Sequence, residues 1–116
     1  MTGSDALGFI GLGVMGGPMC ANLTRRSGLP VVAYDPVETA LDSAVAAGAA
    51  RARDVAEVAA RADIVFLSLP SIVQVETVCD EILAADERPA VIVDMSTSDV
   101  ARTRELGERL AAHGIT

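Results

Sequence analysis

Short apolar runs alternate with longer amphipathic stretches along the whole chain, which predicts a regular alternation of strands and helices. Glycine, proline, aspartate and serine stand between these stretches and mark where one element ends and the next begins. The predicted strands cover residues 6–10, 30–34, 49–52, 63–69 and 90–94. The predicted helices cover residues 14–26, 36–47, 54–61 with Asp54 as cap, 72–85 after the cap Ser71, and a last helix from Ser98 or Asp99 to 113.

Strictly alternating strands and helices are typical of an α/β fold with a Rossmann-like, doubly wound, mostly parallel sheet flanked by helices. The composition agrees, because 51% of the residues are apolar and only 3% are aromatic, so the core is built from small aliphatic side chains. We expect residues 1–116 to form one domain. Ile115 and Thr116 follow the last helix and read as the opening of another strand. We therefore expect a domain that is truncated before its final strands.

A glycine-rich turn joins the first predicted strand to the first helix. Residues 8–16 read GFIGLGVMG, which contains the spacing G-x-G-x-x-G. Such a turn binds the pyrophosphate of a dinucleotide through main-chain N–H groups and the positive end of the helix. The tight turn is assigned to Gly11, the close approach of the pyrophosphate to Gly13, and the close packing of the helix to Gly16. The predicted cofactor-binding turn is completed by Leu12, Val14 and Met15.

An acidic residue ends the second predicted strand. Asp35 lies 19 residues after Gly16 (35 − 16), close to the spacing of about 20 residues at which an acid binds the adenosine ribose. A 2′-phosphate at that point would face a like charge, and Pro36 and Val37 provide no arginine beside it. The sequence therefore favours NAD over NADP as the cofactor. The alternative interpretation of Asp35 is a solvated residue before a helix.

Charge and composition exclude several other classes of function. The net charge is −7 and all nine basic residues are arginines, which argues against a nucleic-acid partner. No apolar run is long enough to span a membrane. Cys20 and Cys79 are far apart and His113 is the only histidine, so we expect no metal site. We interpret His113 as a contact at a helix end rather than a catalyst. The spacing of the cysteines and the absence of a signal sequence favour a cytoplasmic location.

Three segments together resemble the β-hydroxyacid dehydrogenase family, which includes 3-hydroxyisobutyrate dehydrogenase and tartronate semialdehyde reductase. The glycine-rich turn and the residues after it are similar to the family's opening signature. The second segment is ADIV at residues 62–65 leading to Leu69 and Pro70, and the third is DMST at residues 94–97. The resemblance covers nearly the whole chain. One position departs from the family pattern, which usually has proline where this chain has Val100.

The resemblance implies further site residues. Leu69, Pro70 and Gln74 would contact the cofactor, Thr97 would lie by the nicotinamide ribose, and Ser96 would face the substrate carboxylate. Ser96 and Thr97 also have an alternative role as caps of the next helix.

The resemblance also implies the activity. Family members transfer a hydride between NAD and a small 3-hydroxy acid, and we expect a homo-oligomer at full length. They are more than twice as long as this chain and carry a catalytic lysine and a helical domain beyond the point matching Thr116. Because this chain contains no lysine, we expect no catalytic residue in it and no activity from it alone.

Three alternatives remain open from the residues. An NADP-dependent imine reductase shares the glycine signature, but a polar and basic patch would then be expected around position 35. A methyltransferase also uses a glycine turn after its first strand, usually with an acid before the first glycine, where this chain has Phe9 and Ile10. A non-catalytic nucleotide-binding module is the third, and the missing lysine favours it.

Overall fold

The computed structural model describes residues 6–95 and 100–116. In these ranges strands and helices alternate as the sequence predicted. The strands β1 to β5 are Leu7–Ile10, Val31–Tyr34, Ala50–Arg51, Ile64–Leu67 and Val91–Asp94. The helices α1 to α5 are Gly16–Arg26, Glu38–Ala46, Val55–Arg61, Ile72–Ala84 and Val100–Ala111.

The strands form one parallel sheet in the order β3-β2-β1-β4-β5. This order confirms the predicted Rossmann-like fold. The chain runs outward from β1 to β3 and then crosses back to place β4 on the other side of β1. Ile10 pairs with Tyr34 on one side and with Leu67 on the other, so three strands end at the same level. In sheets of this kind, ligands bind in a crevice at the carboxyl ends of the strands on either side of this crossover.

Two apolar clusters cover the two faces of the sheet. The face beneath α1 and α2 contains Phe9, whose ring stacks on Phe66 with 6.0 Å between ring centroids. The opposite face, beneath α3, α4 and α5, contains Ile10 and Val65. Both faces of the central strands are thus buried, and all four residues of β1 are buried. This explains why β1 is a continuous apolar run rather than an alternating one.

Side-chain caps begin two helices, and a glycine ends a third, where the sequence predicted them. The Asp54 carboxylate accepts the Glu57 N–H at 2.8 Å, and Ser71 Oγ accepts the Gln74 N–H at 3.4 Å. Gly114 follows α5 with a φ of +81°, a conformation that suits glycine. The predicted cap at Ser98 or Asp99 lies outside the described residues.

Two predicted helix starts are wrong by two residues. The helix predicted from residue 14 begins at Gly16, and the one predicted from residue 36 begins at Glu38. At α1 the Gly17 N–H already donates to the Gly13 carbonyl at 2.9 Å, but Pro18 has no N–H to donate to Val14, so the helix hydrogen bonds are continuous only from the Met15 carbonyl onward. At α2 Val37 is extended, with a ψ of 112°, and its N–H donates to the Asp35 carboxylate, so the helix begins after it.

The last residue of the chain hydrogen-bonds alongside β5. The Thr116 N–H donates to the Ala90 carbonyl, and the Thr116 carbonyl accepts from the Ile92 N–H, both at 2.9 Å. This is the hydrogen-bond pattern of a parallel strand pair and agrees with the strand opening predicted at Ile115 and Thr116, although β5 is the last strand of the described sheet. No helix within the described ranges has both the length and the hydropathy needed to cross a membrane.

Candidate functional site

A cleft of about 430 Å³ lies at the carboxyl ends of β1, β2 and β4, where the strand order reverses. The structure brings most of the predicted cofactor residues together around it, although they come from three separate parts of the sequence. The lining residues are Gly11, Gly13, Val14, Met15, Gly16, Asp35, Pro36, Val37, Ser68, Leu69, Pro70 and Gln74.

The floor of the cleft is the turn that leaves β1. Gly11 has a φ of +99°, and a Cβ atom there would lie 2.1 Å from the Ser68 carbonyl oxygen. The Gly11 N–H donates to the Tyr34 carbonyl at 3.2 Å. Neither the backbone conformation nor the space allows a side chain, so the assignment of the tight turn to Gly11 agrees with the geometry.

The start of α1 folds back tightly against this turn. A Cβ on Gly16 would lie 2.1 Å from the Gly11 carbonyl oxygen and 3.1 Å from Ser68 Cβ. The crowding predicted at Gly16 is therefore present, and it involves the turn itself and the end of β4. At Gly13 the surroundings differ, because a Cβ would meet no atom within 4 Å. The main chain at Gly13 is open to a ligand.

Several main-chain donors at the start of α1 have no partner in the part of the chain that the structure describes. Among the described residues, nothing accepts a hydrogen bond from the N–H of Gly13, Val14, Met15 or Gly16. The first turn of α1 also contains no acidic side chain. Unpaired N–H groups and the positive end of the helix dipole make this part of the cleft suited to an anion such as a phosphate.

The side of the cleft beyond β2 is built around Asp35. Its Oδ2 accepts the Leu12 N–H at 2.7 Å and its Oδ1 accepts the Val37 N–H at 2.8 Å. The side chain of Leu12 is buried in the core, so Leu12 contributes to the site through its main chain. The carboxylate is thus bound on both oxygens before any ligand arrives. Each oxygen still has a second lone pair with which to accept a hydrogen bond from a hydroxyl group.

The opposite wall comes from the end of β4 and the start of α4. Leu69 and Pro70 line the cleft here, as does Gln74 in the first turn of α4. The Ser71 hydroxyl donates to Gln74 Oε1 at 3.3 Å, besides accepting the Gln74 N–H. Ser71 therefore both caps α4 and orients the side chain of Gln74, leaving its amide nitrogen as the donor group.

Three cleft residues were not predicted. Ser68 directly follows β4, and Pro36 and Val37 follow Asp35 after the end of β2, so all three line the cleft. The rule that ligands bind beyond the carboxyl ends of strands would have found them. Ser96 and Thr97, predicted beside the substrate and the nicotinamide ribose, lie outside the described residues.

Metal and thiol chemistry receive no support from the described residues. Residues 6–95 and 100–116 contain no group of three or more His, Cys, Asp or Glu side chains that could hold a metal ion. Cys20 and Cys79 are buried in different apolar clusters. Burial, with a smaller contribution from the Asp94 carboxylate, raises the pKa of Cys79 to about 11, and burial raises the pKa of Cys20. Both thiols therefore stay protonated at neutral pH. His113 lies at the end of α5, where Nδ1 is 3.0 Å from the Arg109 carbonyl oxygen.

Comparison with known proteins agrees with this geometry. Residues 6–116 match the family described as the NAD binding domain of 6-phosphogluconate dehydrogenase. The chain is 41% identical to 2-(hydroxymethyl)glutarate dehydrogenase of Eubacterium barkeri, over 99% of this chain and 39% of that protein. The structure of Mycobacterium tuberculosis 3-hydroxyisobutyrate dehydrogenase with L-serine is 38% identical and superposes with a TM-score of 0.89, over 97% of this chain and 38% of that one.

More distant structures share the fold. The imine reductase of Myxococcus stipitatus in complex with NADP+ has a TM-score of 0.81 at 23% identity, over 95% of this chain and 38% of that one. A V8 variant of this enzyme is known in complex with NAD+. In all these comparisons the chain spans about two fifths of the length of the protein that it matches.

Proposed function

The chain belongs to the family of the NAD-binding domain of 6-phosphogluconate dehydrogenase, and we propose that it binds NAD in the cleft at the carboxyl ends of β1, β2 and β4. The observation that carries this proposal is the arrangement of two complementary groups. The N–H groups of residues 13–16, which have no acceptor in residues 6–95 and 100–116, lie at the start of α1. The anchored carboxylate of Asp35 lies at the end of β2. The first suits a pyrophosphate and the second suits the two hydroxyls of the adenosine ribose.

The charges around the cleft favour NAD over NADP. None of the described residues that line it is basic, and Asp35 is its acidic member. A 2′-phosphate would bring its negative charge to the Asp35 carboxylate with no arginine or lysine to compensate. Because two charges about 4 Å apart repel each other by about 4 kcal/mol near a protein surface, we expect NADPH to bind much more weakly than NADH.

We infer further that this domain binds the cofactor of a dehydrogenase that acts on a small 3-hydroxy acid. The names of the relatives support this proposal, since they include dehydrogenases of 2-(hydroxymethyl)glutarate and 3-hydroxyisobutyrate. NAD supplies the hydride chemistry when it is bound, and the residues of this chain bind and orient it. Gln74 donates its side-chain amide toward the cofactor. The roles of Ser96 and Thr97, assembly into a homo-oligomer and a cytoplasmic location stay predictions.

A second candidate is a nucleotide-binding module without catalysis. The observation that favours it is the composition, since the 116 residues include no lysine to act as a general acid and base. It shares the cleft and the NAD site with the first candidate. The two differ only in whether hydride transfer to a substrate takes place.

Calorimetric titration of the chain with NADH and with NADPH tests the proposed site. We expect NADH to bind at least tenfold more tightly, and Asp35→Ala to weaken NADH binding at least tenfold. Asp63→Ala is the matched control, because Asp63 is exposed and precedes β4 at the opposite edge of the sheet. It removes the same charge and should leave the affinity unchanged. Equal affinity of the Asp35→Ala and Asp63→Ala variants for NADH would show that Asp35 does not bind the cofactor.

A further inference from the structure

Asp35 is held by two main-chain groups that lie on opposite sides of it in the sequence. Leu12 in the glycine turn donates to one oxygen at 2.7 Å, and Val37 at the start of α2 donates to the other at 2.8 Å. We propose that the main-chain N–H of Val37 determines the selectivity for the 2′ position of the adenosine ribose, because it prevents the Asp35 carboxylate from turning aside. This inference rests on the proposed NAD site.

The physical argument concerns mobility as well as charge. An aspartate that is free to rotate could swing away from a 2′-phosphate and allow NADP to bind, because its two side-chain torsions have several accessible positions. Asp35 would have to break two short hydrogen bonds to do so. Hydrogen bonds to an ionised group are the stronger kind. The anchored carboxylate therefore stays where it accepts two ribose hydroxyls and repels a phosphate.

Val37 is the donor that can be removed without disturbing the core. Val37 is 55% exposed, whereas Leu12 is only 4% exposed and is part of the apolar cluster beneath α1 and α2. The Val37 carbonyl accepts the Leu41 N–H at 3.1 Å and so begins α2, but its own N–H is outside the helix ladder. Its φ of −88° is near the range that proline adopts. Proline at this position removes the donor and is close to the φ at the helix start, while it also restricts the backbone of the preceding Pro36.

The experiment compares Val37→Pro with Val37→Ala in the chain of 116 residues. Both variants lose the valine side chain that lines the cleft, but only the first loses the N–H. Val37→Ala measures what the loss of the valine side chain alone does to the preference for NADH over NADPH. We expect Val37→Pro to lower the ratio of the NADPH to the NADH dissociation constant at least fivefold below the value for Val37→Ala, measured by calorimetry. An unchanged ratio in a Val37→Pro variant that is folded by circular dichroism would overturn the proposal.

A second variant protects the test against misfolding of Val37→Pro. Asp35→Glu keeps the negative charge but places the carboxylate one methylene farther from the main chain, so it cannot keep both hydrogen bonds at their present lengths. We expect it to lower the same ratio at least fivefold, with thermal unfolding followed by circular dichroism to show that the variant is folded. An unchanged ratio in this variant would also contradict the role of anchoring.

The failure of this inference is distinguishable from failure of the proposed function. If Val37→Ala and the parent chain bind neither dinucleotide, the NAD site itself is wrong. If both bind NADH selectively while Val37→Pro and Asp35→Glu retain the parent's ratio, the NAD site stands and only the anchoring is refuted. Amide hydrogen exchange supplies a direct readout, because weaker anchoring should accelerate exchange of the Leu12 N–H in Val37→Pro but not in Val37→Ala.

Discussion

Gly13→Ala should separate the cofactor-binding role of the glycine turn from its structural role. Gly13 borders the cleft, and an added Cβ would have no atom within 4 Å. Among the described glycines, Gly13 is one of those whose φ is not positive. Alanine is therefore compatible with the folded backbone at this position. At Gly11 the same substitution would place Cβ 2.1 Å from the Ser68 carbonyl oxygen at a φ of +99°, so it should be strongly destabilising.

Two opposite effects are expected from Gly13→Ala. Alanine restricts the unfolded chain, which stabilises a protein by about 0.4–1 kcal/mol where the native backbone accepts it. For a chain of this size that raises the Tm by roughly 2–4 °C. The methyl group also keeps a phosphate away from the main chain. A phosphate oxygen lies about 2.9 Å from an N–H nitrogen to which it is hydrogen-bonded, but it cannot come much closer than about 3.5 Å to a methyl carbon. Loss of one hydrogen bond to a charged acceptor costs about 1.5–3 kcal/mol, which raises the NADH Kd about 10- to 150-fold.

Thermal unfolding and calorimetric titration with NADH measure these effects on the same sample. Gly107→Ala is the matched control, because a Cβ at Gly107 also meets nothing within 4 Å but the residue lies on α5, outside the cleft. It should raise the Tm and leave the Kd unchanged. A fall in Tm for Gly13→Ala would refute the structural reasoning. An NADH affinity equal to that of the parent would show that the pyrophosphate does not lie against Gly13.

Three further predictions concern stability. Gly8→Ala places a Cβ 2.6 Å from Val58 Cγ1 and 3.0 Å from Ala62 Cβ and should cost about 1–3 kcal/mol in urea unfolding. The cost should be smaller in a Val58→Ala background, where only the contacts with the other neighbours remain, and equal costs in the two backgrounds would contradict it. Asp54→Ala removes the cap of α3 and should cost about 1 kcal/mol, with NADH affinity unchanged in calorimetry; a weaker affinity would link α3 to the cleft. Burial raises the pKa of Cys79 from 9.0 to about 11, so the folded state holds the thiol proton more tightly than the unfolded state does. The contribution of this thiol to the free energy of unfolding is therefore fully present below pH 9 and should fall by about 2 kcal/mol by pH 10.5. In urea unfolding, the Cys79→Ala variant should lack this part of the pH dependence.

The local pattern of residues predicted most of the fold. Apolar runs and amphipathic stretches identified all the described strands and helices, because their periodicity depends on neighbours within a few residues. The shortest strand, Ala50–Arg51, was predicted at residues 49–52, and the caps Asp54 and Ser71 were found from their side-chain chemistry. The glycine spacing and the position of Asp35 identified the candidate site because the spacing is typical of a turn between a strand and a helix, and Asp35 stands where the next strand ends.

Only the tertiary structure decided how Asp35 is used. The sequence placed an acid at the end of a strand, but its hydrogen bond to the Leu12 N–H joins residues 23 positions apart. That bond exists because the sheet register sets Ile10 opposite Tyr34, which brings the glycine turn beside the end of β2. Contacts between distant segments depend on how strands pair and on how closely helices pack, and a local pattern does not contain that information.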